Sequence, residues 1–103
     1  MRLVLAPGRE VVLDEPVVLG RQPDRQDYQA VPLGDPHFSS SKNHALVVRR
    51  PSNTVEIVDL DSTNGTAVRF DGADIVLRPG QPTVVTVPCT IVCGSCVVTV
   101  CTD

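Results

Sequence analysis

Four cysteines, Cys89, Cys93, Cys96 and Cys101, are the residue types in this chain that most readily do chemistry. Cys93-Gly94-Ser95-Cys96 has the C-x-x-C spacing of a redox pair, and four thiols are enough for a zinc site. Both chemistries fail on placement. A redox thiol wants a helix N-terminus to lower its pKa. Gly94-Ser95 reads instead as a two-residue hairpin loop. Such a hairpin sets Cys93 opposite Cys96, on one face with Cys89, Ile91, Val98 and Val100. Cys101 then turns to the other face with Val97 and Thr99. Cys89 lies roughly 13 Å from Cys93 along its strand, so the two cannot both sit about 2.3 Å from one metal. The thiols are read as small apolar strand residues. A Cys93–Cys96 disulfide stays open on distance alone, and a reducing compartment argues against it.

The other chemistry-bearing residues sit in polar loops. "LGRQP" places Arg21 beside Gly20. "SKNHALV" places Ser41 and Lys42 just ahead of His44. "DLDSTNGTAV" holds Thr63, Asn64 and Gly65 in a knot rich in hydroxyls. Asn-Gly is a strong hairpin signal because both residues tolerate φ > 0. A plain turn does not need the flanking Ser62, Thr63 and Thr66. Ser62 and Thr66 are expected to hold the loop's own backbone. No base–nucleophile pair and no phosphate-cradling glycine loop is present, so no catalytic residue is assigned and no cofactor or metal is expected.

The elements that must position these loops are short strands. Nineteen valines favour them, because a branched Cβ packs well on a pleated surface. Nine prolines and seven glycines cut the chain into pieces too short for helices. Strands are expected near Arg2–Leu5, Glu10–Leu13, Val17–Gly20, Ala30–Leu33, Ala45–Arg50, Thr54–Val58, Thr66–Phe70, Asp74–Val76, Thr83–Val87, Thr90–Cys93 and Cys96–Cys101. That spacing suggests an all-β fold, an antiparallel β-sandwich of about eleven strands. The long connections, Arg21–Gln29 and Gly34–Asn43, are where binding residues concentrate. At 103 residues the chain is read as a single domain, 1–103, of the kind that serves as a module of a longer protein.

A net charge of −3 gives no general basic surface, so no nucleic-acid partner is expected and any anion site must be local. Apolar runs of four or five residues are too short to span a membrane, and the segment after Met1 lacks the pattern of a signal peptide. The expectation is a soluble, cytoplasmic protein.

Taken in order on an eleven-strand pattern, the three signatures resemble the forkhead-associated (FHA) domain family. The resemblance covers Arg2 to Val100, including the late "LRPGQ" turn. It implies a sandwich of the FHA/SMAD-like type that recognises phosphothreonine peptides. By position, the phosphate contacts it implies are Arg21, Ser41, Lys42 and Thr63. Asn64 would grip the peptide backbone, and Gly20, His44 and Gly65 would support the site. Ser39 and Ser40 compete with Ser41 for the serine's place in the register. Arg25 and Asn43 are the candidates for contacts flanking the phosphothreonine, and His37 is read as a loop residue. Two departures stand out: the stretch from Asp35-Pro36 to Ser41 is longer than usual, and Lys42 stands where arginine is frequent. The valine-rich, G-R-x-P style is similar to actinobacterial members, which work with serine/threonine kinases.

The chemistry suits these residues. A phosphothreonine carries roughly −1.5 to −2 charges and three acceptor oxygens. Arg21 offers a planar fork for two of them, Lys42 a compact charge, and Ser41 and Thr63 small neutral donors. Charge-assisted hydrogen bonds contribute about 1.5–3 kcal/mol each. Two or three of them, less ordering costs, give roughly −8 kcal/mol, a micromolar and reversible affinity. The implied partner is a phosphothreonine-containing protein, a kinase or its substrate. A phospho-independent scaffold or oligomerisation domain is the alternative, and a thiol or metal protein built on the C-terminal hairpin is the third.

Overall fold

Alternate residues turn inward along β-strands such as Thr54–Asp59 and Cys89–Cys93, and two sheets of eleven strands in all close over them. The computed structural model describes all 103 residues. The strands are β1 (Arg2–Leu5), β2 (Arg9–Val12), β3 (Val17–Gly20), β4 (Gln29–Pro32), β5 (Ala45–Arg50), β6 (Thr54–Asp59), β7 (Thr66–Phe70), β8 (Ala73–Val76), β9 (Thr83–Thr86), β10 (Cys89–Cys93) and β11 (Cys96–Cys101). Each lies within one residue of its expected bounds. A six-stranded sheet runs β2-β1-β11-β10-β7-β8 and a five-stranded sheet runs β4-β3-β5-β6-β9.

The period-2 pattern is clearest in β6 and β10. Val55, Ile57 and Asp59 point inward from β6, and Cys89, Ile91 and Cys93 from β10. A cluster of 21 buried apolar residues fills the space between the sheets, with Leu3, Leu19, Val47, Ile57, Val68, Ile91 and Val98 fully enclosed. This core fixes register, because a one-residue slip would send each inward set to solvent.

Two connections differ from a simple run of antiparallel hairpins. β3 and β4 pair in parallel, with Val17 opposite Gln29 and Gly20 opposite Pro32. The polar Arg21–Tyr28 stretch carries the chain back to the start of β3 before β4 begins. Pro32 is tolerated because β4 is an edge strand, where a missing N–H breaks no ladder. The Asn-Gly knot is not a hairpin. β6 belongs to the five-stranded sheet and β7 to the six-stranded one, so the knot bridges the two sheets. Gly65 takes φ +80°, and the other left-handed residue is Asp61 at +58°, not Asn64. An inter-sheet crossing needs single kinks, not the paired positive φ of a type I′ turn.

The C-terminal hairpin forms as expected. Cys93 faces Cys96 across Gly94-Ser95, and all four cysteines are free. Burial pushes the Cys93 thiol up to about 12 and Cys89 up to about 11. Thiols held so far above neutrality are poor nucleophiles and behave as apolar filling.

Candidate functional site

Gly20 ends β3 where the Ser41–Lys42 backbone passes directly over it. A Cβ at Gly20 would fall inside the van der Waals radius of the Lys42 carbonyl oxygen. The missing side chain allows a short backbone ladder: Arg21 N–H donates to the Ser41 carbonyl at 2.9 Å and Gln22 N–H to that of Lys42 at 3.3 Å. Just below, His44 N–H donates to the Leu19 carbonyl at 2.8 Å. The loop after β3 and the loop before β5 are thereby fastened together, which sets Arg21 beside Ser41.

His44 fastens the third loop. Its ring is fully buried. Nδ1 accepts from the Ser41 N–H at 2.9 Å, and Nε2 lies 2.8 Å from the Gly65 carbonyl. A backbone N–H can only donate, so Nδ1 is the acceptor and Nε2 carries the proton that goes to Gly65. The imidazole is a strut between the serine loop and the Asn-Gly loop. Ser41 closes the same junction from above, its Oγ accepting from the Thr63 N–H at 2.9 Å. The hydroxyl hydrogen of Ser41 is not used in that bond.

Hydrogen bonding settles which serine faces the junction. The Ser40 hydroxyl is buried and donates to Asp35 at 2.6 Å, as does its backbone N–H. The Ser39 hydroxyl lies 3.2 Å from Asp35 and 2.6 Å from the Ser95 hydroxyl, and it accepts from the Ser95 N–H at 2.9 Å. These bonds, from Ser40 first and Ser39 second, hold the Asp35 carboxyl well below the usual carboxylate range. Both neighbouring serine hydroxyls are thus engaged by other groups of the protein, and of the three side chains only that of Ser41 bonds the Asn-Gly loop.

Asn64 extends its amide to the Ser39 carbonyl, Nδ2 to O at 2.7 Å, and so has its Oδ1 left over as an acceptor. Ser62 and Thr66 do not hold the loop's backbone. Their hydroxyls donate to the buried Asp59 carboxylate, Thr66 at 2.6 Å, and Ser62 N–H joins them at 3.2 Å. Asp59 points inward at the end of β6, and a buried carboxylate needs such donors. The excess hydroxyls of the knot therefore serve an acid that lies just upstream of it.

The charges differ sharply. Arg21 makes no ion pair, and its buried Nε has no hydrogen-bond partner. Its guanidinium carbon lies 5.2 Å from the centre of the Phe38 ring. Lys42 is taken: its Nζ lies 2.8 Å from Asp24, at an exposed position. Asn43 also belongs to Asp24, exchanging two hydrogen bonds with it at 2.8 and 3.0 Å. The Lys42 bond, followed by that of Asn43, lowers the Asp24 carboxyl. Arg25 lies exposed in the same loop.

Arg21, Ser41, Thr63 and Asn64 therefore meet at one end of the sandwich, with Gly20, His44 and Gly65 beneath them. Lys42 is at the rim, turned to Asp24. Sequence reasoning assigned no role at the site to Asp35, Phe38 or Asp59, and Ser39, a competitor of Ser41 there, instead bonds Asp35 and the Gly94-Ser95 tip. Gly94 adopts φ +62°, and a Cβ there would overlap the Ser39 backbone. The Asp35-Pro36 pair, a strong turn signal, was the one local cue to this second tier.

These residues bring together one guanidinium without an ion pair, two hydroxyls and an amide acceptor, with no nucleophile–base pair among them. No group of three or more His, Cys, Asp or Glu side chains is placed to hold a metal ion. No helix is long and apolar enough to cross a membrane.

Comparison with known proteins gives the following. The family model described as FHA domain matches residues 17–94, about three quarters of the chain. Curated proteins give no match. Among solved structures, one similar fold is an FHA domain from a structural and functional study of phosphothreonine-dependent FHA domain interactions. It has a TM-score of 0.69 and 26% identity, covering 99% of this chain and 95% of that one. A second is the FhaA FHA domain complexed with the intracellular domain of Rv3910, with a TM-score of 0.65, 25% identity, and 95% and 96% covered. The FHA domain of CT664 from Chlamydia trachomatis shares the fold at 19% identity, with a TM-score of 0.70 over 99% and 96%.

Proposed function

The chain belongs to the FHA domain family, and from that premise we propose that it is a phosphothreonine-dependent interaction module without catalytic activity. One observation carries the proposal: Arg21, the arginine of the G-R signature, has no carboxylate partner, and its backbone is bonded to that of Ser41. Its donors are desolvated in part and unanswered, which favours a ligand that brings oxygens and negative charge. A phosphothreonine meets both needs.

In this reading Arg21 takes two phosphate oxygens and Ser41 donates to a third. Thr63 is close enough to Ser41 to add a hydroxyl. Asn64, its amide nitrogen already on Ser39, presents Oδ1 to a peptide N–H. Lys42 joins only by leaving Asp24, so its contribution is the smallest. Support also comes from neighbours at 25–26% identity, one studied for phosphothreonine-dependent interactions and one bound to the intracellular domain of Rv3910. The partner is accordingly a phosphothreonine-containing protein, a serine/threonine kinase or its substrate. Residues 1–103 act as one such module within a cytoplasmic signalling protein.

The test is binding of a phosphothreonine peptide library, read against the same peptides without phosphate. Selective, micromolar binding is expected, and equal retention of both forms would sink the proposal.

The scaffold alternative rests on a separate observation. On the outer face of the six-stranded sheet, Val97, Val92, Ala67 and Val76 stand side by side across four strands. Val76 is 78% exposed on the edge strand β8 and Val97 49%. Light scattering with and without phosphopeptide separates the two readings; a stable oligomer indifferent to phosphate favours the scaffold.

A further inference from the structure

Phe38 occupies a backbone conformation that an aromatic residue has no local reason to adopt. The turn Asp35-Pro36-His37-Phe38 is closed by Phe38 N–H to the Asp35 carbonyl at 3.3 Å. Asp at the first position and Pro at the second are ordinary choices, and the last position of such a turn favours glycine. Here it is Phe38, with φ +52°. A left-handed conformation in a bulky residue is strained and persists only where the surroundings require it. Nor does burial supply the reason, since Phe38 is 71% exposed.

The ring faces Arg21, whose guanidinium carbon lies 5.2 Å from the ring centre. That is within the reach of a cation–π contact. Arg21 has no carboxylate to hold it, so an aromatic face is the available way to fix the guanidinium without using its N–H donors. A carboxylate would fix it more strongly and would also neutralise it.

From these observations we infer that Phe38 is a positioning residue for Arg21. Its ring holds the guanidinium plane ready while the terminal N–H groups stay unpaired. The inference rests on the phosphate reading of Arg21 given above. It assigns a function to the Asp35–Ser41 stretch beyond Ser41 itself. The Asp35-Pro36 turn carries the ring, and the Asp35–Ser39–Ser40 bonds hold that turn.

The experiment compares the wild type with Phe38→Leu, Phe38→Tyr and Arg21→Ala in two measurements. The first is affinity for a phosphothreonine peptide. Phe38→Leu keeps an apolar side chain and loses the π face, and its affinity should fall about two- to fivefold. Phe38→Tyr should bind as the wild type does. The second is the proton chemical shift of the Arg21 Cδ methylene in the free protein. A stacked ring moves it upfield, and the displacement should vanish in Phe38→Leu and remain in Phe38→Tyr. In an Arg21→Ala background, Phe38→Leu should have no further effect on affinity. Wild-type affinity in Phe38→Leu, or an equal loss with and without Arg21, overturns the inference. A wild type that shows no phosphate-dependent affinity overturns the reading beneath it. The chemical shift then still reports whether the stacking exists.

Discussion

Both ends of the sandwich carry arginine, and Arg50 and Arg2 at one end are held in the opposite way to Arg21 at the other. At the end away from the loops, Arg50 is held by Glu56 at 3.2 and 3.3 Å, and Arg2 by Glu10 at 2.8 Å. Arg2 shares with Arg21 a buried Nε without a hydrogen bond, but Asp103 stands 4.0 Å from that nitrogen. At the loop end, Arg21 has a phenylalanine in place of a carboxylate. A paired arginine is a finished interaction whose charge is locally cancelled. An arginine held by an aromatic face keeps its charge and its donors. The difference separates a paired cation from an unpaired one in a chain whose net charge is −3.

The sharpest way to break this comparison is to remove one arginine from each end. Arg21→Ala should cost roughly 1.5–3 kcal/mol of phosphopeptide affinity, about ten- to hundredfold. Arg50→Ala should leave affinity unchanged. Isothermal titration of both variants with one phosphothreonine peptide decides it, and equal effects would erase the distinction between the ends.

Next in size is Gly20→Ala. The added methyl has no room against the Lys42 carbonyl, so the ladder from Arg21 and Gln22 must part. A loss of about 1–3 kcal/mol in stability is expected, as for other overpacked sites. Urea unfolding measures it, and an unchanged midpoint would mean that the two loops are not tightly fastened.

A smaller effect follows from pH. The second phosphate proton has a pKa of about 6, so the ligand loses about half a charge to a full one between pH 7.5 and 5.5. Affinity should weaken a few-fold over that range, in parallel for peptides of different flanking sequence. Binding that strengthens instead would point away from phosphate charge as the main attraction.

The least visible effect concerns the tier beneath the site. Asp35 is an acid whose carboxyl is lowered by Ser40 and Ser39. The folded state therefore binds its proton less readily than the unfolded state does. The stabilisation is fully present above the unfolded carboxylate value, near 4. It is lost as the pH falls below that value towards the lowered one of the folded protein. Thermal melts of the wild type and Asp35→Asn should differ most above pH 4 and converge as acid is added. A gap that widens on acidification would reverse the assignment.

The strands were legible in the sequence because burial on one face leaves a period of two, as in Thr54–Asp59, and because Gly and Pro mark their ends. Arg21, Ser41, Thr63 and Asn64 were legible as three signatures in order. The supporting tier was not. Asp59 looked like one more acid in a polar loop, yet it collects Ser62 and Thr66 because its strand position turns it inward. Ser39 and Ser95 are 56 residues apart, and no local pattern links them. Lys42 looked like a free cation until Asp24, on another loop, was found beside it.

The sequence by itself determined the class of fold and the chemistry offered at its loops, since periodicity, turn residues and donor types are properties of neighbours along the chain. Only the tertiary structure decided which donors are free. That outcome depends on partners brought together from distant positions: Asp24 for Lys42, Asp35 for Ser40, His44 for the Ser41 and Gly65 backbones. It also depends on close approaches such as the Lys42 carbonyl over Gly20, which closes one pair of loops and leaves the Arg21 guanidinium with an aromatic ring in place of an ion pair.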